Sequence, residues 1–328
     1  MCYGLRNKKH CIANKQYSKE DYEKELAKLP LSSYKNYEHF KNHYYKMIKN
    51  APYLYIWRNG RIEESTGDFL TDVKNCQDCY EVLEGRDCKN VQSGYQITDV
   101  HECSYVHGEL GYENCECFPM PMKSAFNLNT YNGNDVYYSD MCMNNNKNIW
   151  GCVSLKKSHH CLLNKQYSEE EYNEIIPRVI EHMKKTREYG EFFPAELSPF
   201  DYNETNAEDF FPSTKKESPK KTQQQQTCDL PDDSSDTQEN ITDEILTCNE
   251  CSRNYRIILQ EYKLLKKMGL PLPRFCFECR NKNRNKFRKI RKIFNRECAE
   301  CKNSIQTNYS PKRIEKVYCE DCYHQKIY

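Results

Sequence analysis

Residues 79–106 read CYEVLEGRDCKNVQSGYQITDVHECSYV, and the texture of this stretch decides the fold class. Short β-compatible pieces, CYEV, CKNV, TDV and CSYV, are separated by Asn, Asp, Gly and Ser. Cys or Val returns at intervals near nine or ten, from Cys79 to Cys88 and from Val91 to Val100. The same texture runs from about Gly67 to Cys161, through DVYY, GCVSL and HCLL, with Cys142, Cys152 and Cys161 keeping the spacing. Strands on a fixed period, each too small to bury a face alone, predict the stacked rungs of a β-solenoid. The expected class is therefore mainly β: a Cys-rich, β-helix-like solenoid with inserted helices.

Outward from that stretch, a repeat frames the solenoid. Cys2 to Tyr22, CYGLRNKKHCIANKQYSKEDY, matches Cys152 to Tyr172, CVSLKKSHHCLLNKQYSEEEY, at an offset of 150, with eleven of twenty-one positions identical. In both copies NKQYS leads into acidic residues and a Tyr, which reads as a strand or turn ending at a helix N-cap, Ser18 or Ser168. The first copy begins at residue 2, so the N-terminus reads as the tail of a longer solenoid. Between the copies, YEKELAKL and YKNYEHFKNHYYKMIK carry helical spacing. After Tyr172 come a second helix, IIPRVIEHMKKT, and the strap EYGEFFPAELSPFDYNETNAEDFFP, whose aromatics and prolines suit packing over a neighbouring surface.

The chain thus divides into a partial rung with its NKQYS motif at 1–22, a helical insertion at 23–66, and the solenoid with helix and strap at 67–212. A disordered linker follows at 213–243, where KKESPKKTQQQQ and DLPDDSSDTQEN lose apolar content, and then tandem zinc modules at 244–328. The linker is expected to decouple the solenoid from the modules.

The modules rest on eight cysteines in four Cys-x-x-Cys pairs: Cys248 and Cys251, Cys276 and Cys279, Cys298 and Cys301, Cys319 and Cys322. Two thiolates from one tight turn reach one ion, and two such turns complete a closed S₄ tetrahedron. Two Zn²⁺ per chain follow, although rubredoxin-like iron fits the same spacing. RIILQEYKLLKKM suggests a strand and a short helix in the first module. SIQTNY and KVYCEDCY suggest a hairpin and a terminal helix in the second, so both read as zinc ribbons or treble clefs.

Composition agrees with metal and thiol support. The hydrophobic fraction is 38% and mean hydropathy −0.99, against twenty cysteines and twenty-six tyrosines. No apolar leader and no stretch near 18 apolar residues is present, so the expected protein is cytoplasmic with no membrane partner, in a compartment where thiols stay reduced. Net charge is +1, yet residues 241–328 hold 20 Lys+Arg against 10 Asp+Glu. Residues 280–296, RNKNRNKFRKIRKIFNR, carry nine cations and no acid, with Phe287, Ile290 and Phe294 at helical spacing. Arg284, Arg288, Lys289 and Arg291 are the candidate phosphate contacts, set against the plainer reading of a solvated connector.

No catalytic constellation emerges. Asp99, Asp135 and Asp140 are the only carboxylates singled out for a site on the solenoid face. Cys76, Cys79, Cys88, Cys103, Cys115, Cys117, Cys142, Cys152 and Cys161 read as buried rung positions rather than a further metal site, with Cys76 and Cys79 the best exception. His10 and His160, repeated between copies, read as packed histidines. The expected function is a non-enzymatic scaffold that binds an unknown protein. The alternatives are a nucleic-acid-binding protein and an enzyme with a site on the solenoid face.

The segments CVSLKKSHHCLLNKQYSEEEY, EHMKKTREYGEFFPAELSPFDYNET, LPLPR and ECAECKNSIQTNYSPKRIEKVYCEDCY together resemble an uncharacterised group of bacterial zinc-ribbon proteins with a Cys-, Asn- and Tyr-rich repeat region. CNEC…PLPRFCFECR resembles the probable zinc-binding domain ending in C-x-x-C-R. The resemblance implies zinc at the eight cysteines and further rungs upstream, and it implies no activity.

Overall fold

The computed structural model describes residues 2–5, 7–205, 207–211 and 230–327. Its body is a solenoid whose sheet stacks ten strands in sequence order, from Arg58–Glu63 to the hairpin strand Lys165–Gln166. All neighbours are parallel except that last pair, His159–Leu162 with Lys165–Gln166. The solenoid therefore begins at Arg58, inside the stretch expected to be helical insertion. The two helices expected there, Lys19–Ala27 and Tyr34–Lys49, precede it.

The turn is twelve residues, not nine or ten: Gly67 pairs with Cys79, Tyr80 with Gln92, and Gln92 with Ser104. Every third residue faces inward, as Leu70, Val73, Cys76, Cys79 and Val82 do. Every third residue also has positive φ, as Phe69 (56°), Asp72 (49°), Asn75 (50°), Asp78 (52°) and Glu81 (58°) do. Each left-handed residue bends the chain, so four triplets close one turn with four short sides. Asn and Asp suit such bends because their short polar side chains tolerate the left-handed region. A nine-residue interval is three triplets, which returns an inward residue on the wrong side of the coil.

Turn-to-turn ladders hold the bends together. Asn75 donates to Asp87 at 2.7 Å, Asn90 to Glu102 at 2.6 Å and Gln96 to Glu84 at 2.9 Å, each across twelve residues. Inside, Gly85 and Gly94 occupy inward positions where a Cβ would lie 2.7 Å from Val82 or Ile97, so larger neighbours fill their space. Beyond Cys103 the period slips, and the inward ladder changes from thiols to amides. The side chains of Cys103, Asn114, Asn127 and Ser139 each accept the backbone N–H of Asn114, Asn127, Ser139 and Cys152 in the next turn. These side chains replace backbone partners where the turn length departs from twelve.

Both NKQYS copies form the same cap. A hairpin (Cys11–Ile12 with Lys15–Gln16, or His159–Leu162 with Lys165–Gln166) runs into a helix capped by Ser18 or Ser168. Asn14 bonds both the N–H and the carbonyl of Tyr3, and Asn164 does the same to Val153. His10 meets Tyr22 at 5.6 Å and His160 meets Tyr172 at 5.7 Å, so both rings are packed as expected.

The strap after helix Glu169–Thr186 is pinned at its ends: Gly190 N–H donates to the Tyr138 hydroxyl at 2.8 Å, and Phe210 is buried. Of the expected linker, 213–229 lie outside the described residues, and 230–243 pack against their neighbours. Asp232 accepts from Ser33 Oγ at 2.5 Å and Lys35 N–H at 3.0 Å at the start of helix Tyr34–Lys49. Ile241 joins Leu246, Ile257, Tyr262 and Leu272 in the core of the first Cys₄ module. A polar composition hid this segment because its anchors are carboxylates and backbone groups rather than apolar side chains.

Candidate metal centres

Each Cys₄ group is assembled from the same two local structures. The first pair sits on a tight turn that ends in a left-handed residue, Ser252 (φ 60°) or Lys302 (φ 64°). In that turn Cys248 N–H bonds the Arg253 carbonyl at 2.9 Å, and Cys298 N–H bonds the Asn303 carbonyl at 2.9 Å. The second pair opens a helix: Cys276 caps Phe277–Asn285, and Cys319 precedes Glu320–Ile327. Helix N-termini present unpaired N–H groups and positive potential, which favour thiolates.

In each set, Cys248/Cys251/Cys276/Cys279 and Cys298/Cys301/Cys319/Cys322, all four sulfurs lie within 4.8 Å of one another. Cys251 and Cys276 Sγ are 3.7 Å apart, and Cys301 and Cys319 Sγ are 3.8 Å apart. A tetrahedron with metal–sulfur bonds of about 2.3 Å has edges of about 3.8 Å, so both groups have the dimensions of a four-coordinate site. Burial opposes ionisation of Cys248, but backbone hydrogen bonds at Cys251, Cys276 and Glu250 bring its thiol down to about 7. Cys298, likewise opposed by burial, is brought down to about 6 by backbone hydrogen bonds at Cys319, Glu300 and Cys301. The helix-side thiols shift the other way: burial pushes Cys276 and Cys279 up, and the Cys319 thiol pushes Cys322 up to about 12. Both groups can hold a metal ion.

The expected strand and helix of the first module are present as Asn254–Tyr255 and Leu259–Met268, and Arg280 ties the metal-side helix to the second at Glu261 (2.5 Å). In the second module the pairing differs from expectation. Ser304–Thr307 pairs with Phe294–Glu297, while Lys316–Tyr318 runs parallel to Pro52–Leu54, outside the module. The apolar Val317 and Tyr318 find their partners among Tyr53 and Tyr55. Thr307 also donates to the Tyr55 carbonyl and Asn308 to the Asp68 carboxylate. The module and the solenoid's first turn share one hydrogen-bonded seam.

The basic stretch expected to be helical over 280–296 is helical only to Asn285, then bends and becomes strand at Phe294. The bend carries cations to the solenoid. Lys289, its side chain 12% exposed, pairs at 2.7 Å with the fully buried Asp68, which also accepts Trp57 N–H at 2.6 Å. Burial drives the Lys289 amine below its ordinary value, and Asp68 opposes that shift. Arg291, its side chain 5% exposed, pairs with Glu81 at 2.8 Å and lies 3.8 Å from the Phe210 ring centre. Arg288 lies 4.9 Å from the same ring, and Arg284 bonds Asn281 within its helix at 3.4 Å. No sequence signal marks Asp68 as their anchor, since 221 positions separate it from Lys289.

The remaining candidates disperse. Asp99 and Asp135 occupy left-handed bends three turns apart, about 14 Å at the spacing of paired strands, too far for a shared acid–base step. Asp140 lies on another side of the coil. Cys88, Cys103, Cys142, Cys152 and Cys161 are buried in the two solenoid cores, whereas Cys115 is only half-buried. Their thiols bond carbonyls: Cys103 bonds His101 at 3.1 Å and Cys88 bonds Arg86 at 3.0 Å. Cys76 and Cys79 form no metal-sized group among the described residues. Among those residues no helix is long and apolar enough to cross a membrane. No protein-family model, curated protein or solved structure matches the chain.

Proposed function

We propose that the protein is a zinc-stapled interaction scaffold, with one Zn²⁺ in each Cys₄ group and no chemistry of its own. The observation that supports this reading most is the seam between the second module and the solenoid. A closed S₄ site leaves no open position for substrate, while strand 316–318 joins that site to residues 52–54 just before the solenoid, and Lys289 and Asn308 join the module to Asp68 in the first turn. Metal placed there stabilises a platform. Elemental analysis of reduced, metal-replete protein should give about two zinc and no iron per chain. Chelation should then speed hydrogen exchange at residues 52–74 before it does so at the distal turns. A metal content near zero, or first-turn exchange indifferent to chelation, would overturn the reading.

Nucleic-acid binding is the weaker reading, because Lys289 and Arg291 are held in ion pairs with the solenoid. If the exposed helix cations alone drove binding to duplex DNA, replacing Arg284 with Gln would flatten its salt dependence while zinc stays bound.

A further inference from the structure

The two copies of the NKQYS cap have one geometry and two surroundings. In each, the thiol of the first cysteine donates to the carbonyl of the second at 3.5 Å, Cys2 to Cys11 and Cys152 to Cys161. The second thiol reaches back two residues, Cys11 to Lys9 at 3.4 Å and Cys161 to His159 at 3.3 Å. The second cap sits on a solenoid turn: His159–Leu162 runs parallel to Asn146–Trp150, with Ile149 opposite Cys161. Among the described residues, Cys11–Ile12 pairs only with its own hairpin strand, Lys15–Gln16.

Burial follows that difference position by position. Cys152, Cys161 and Leu162 are buried, whereas their counterparts Cys2, Cys11 and Ile12 are half-buried. Leu155 packs on the distal core, and its counterpart Leu5 is 39% exposed. The backbone shows the same lack. Ser154 and Leu163 donate to the Asp140 and Trp150 carbonyls of the turn below, and the Leu155 carbonyl accepts from Met143. Among the described residues, no backbone hydrogen bond meets the counterpart N–H groups of Gly4 and Ala13 or the Leu5 carbonyl. A strand edge with free backbone groups and an apolar row beside it is a template for one more strand.

We infer that the face made by Cys2, Leu5, Cys11 and Ile12 docks an uncapped solenoid turn of a partner protein, as the second cap docks residues 139–151. The second cap selects this occupant, because the same motif in the same geometry already holds one. A second copy of this chain offers no such turn, since its own cap covers that end of its coil. The partner's turn differs from residues 139–151 at one corner. Lys147 stands opposite His159, whose counterpart is the exposed Lys9, so a Lys there would meet like charge and an acidic residue is favoured. The inference rests on the scaffold reading and names the class of partner.

The test uses the full chain with two zinc bound and fluorescein-labelled synthetic peptides of residues 139–151, one with Lys147 kept and one carrying Lys147→Glu. Anisotropy under reducing conditions should show saturable binding, several-fold tighter for the Glu peptide at low salt. At saturation, hydrogen exchange at Gly4 and Ala13 should slow at least tenfold. Exchange at Ser154 and Leu163 should stay unchanged, which separates docking on the first cap from invasion of the second. Cys11→Asp should weaken binding at least tenfold. If that variant loosens the cap, a peptide carrying Ile149→Asp breaks the same contact from the other side and should weaken binding equally. No binding at millimolar peptide, exchange at Gly4 and Ala13 indifferent to it, or tighter binding of the Lys147 peptide would each overturn the inference. So would self-association abolished by Cys11→Asp in analytical ultracentrifugation, since a second copy would then be the occupant. Failure here with two zinc still bound leaves the scaffold reading standing, whereas a metal content near zero removes that reading first.

Discussion

Asp68 gathers three donors at the seam. It is fully buried and receives Lys289, Asn308 and the Trp57 N–H, while Lys289 also lies 4.5 Å from the Tyr309 ring centre. Removing one partner of a buried pair leaves the other charge without compensation, which costs about 3–5 kcal/mol. Lys289→Met should therefore destabilise the fold by roughly that amount in chemical denaturation, and Asp68→Asn added to it should restore part of the loss. A single-variant cost below about 1 kcal/mol would show that the pair is solvated. Cysteine reactivity divides along the same line of burial. In folded protein a maleimide should label Cys88, Cys103, Cys142, Cys152 and Cys161 slowly, whereas after chelation the exposed Cys301 should react first. Fast labelling at most of the five would place them outside the core.

At the scale of the element, the left-handed bend is the unit that makes a solenoid of this chain. Asp99 has φ 54° and an exposed side chain, so its substitution reads backbone conformation with little packing. Asp99→Val should cost about 1–2 kcal/mol in thermal or chemical denaturation, whereas Asp99→Gly should be close to neutral. Equal losses in the two variants would mean that the bend does not select the residue. The solenoid itself was legible from Cys79, Cys88, Val91 and Val100, because small apolar residues recur where a core must be filled. The twelve-residue turn was not. Gly85 and Gly94 interrupt the inward series with residues that carry no apolar signal, and three triplets mimic a period. The two Cys₄ groups were legible because paired Cys-x-x-Cys turns write their geometry as local spacing. The bend after Asn285 was hidden because its cause, the buried Asp68, lies in a different part of the chain.

For the whole molecule, the packed segment 230–243 and the seam at 52–54 replace the expected decoupling with mechanical continuity. Asp232 holds the start of helix Tyr34–Lys49, Arg274 donates to the Leu230 and Pro231 carbonyls at 3.0 and 2.9 Å, and Val317 pairs with Tyr53. Cys319→Ser should therefore do more than unfold the last module. Hydrogen exchange should rise through residues 52–74 and fall back to the native rate beyond Val136, whose core cluster is separate. Unchanged exchange at 52–74 would restore the decoupled picture, and a global rise would mean that the solenoid has no independent stability.

The twelve-residue turn also sets a grammar for how such a chain can change length. A duplicated copy of residues 92–103 inserted after Cys103 would keep each inward, outward and bend position in register, and would raise the coil by one strand spacing, about 4.8 Å. A six-residue insertion at the same place would preserve the triplets yet put each side of the coil above its opposite, so the Asn and Glu ladders would lose their partners. Descendants of this sequence would therefore be expected to grow and shrink in whole turns. With the strap's two anchors on different turns, each added turn would lengthen the span beneath it by the same fixed step.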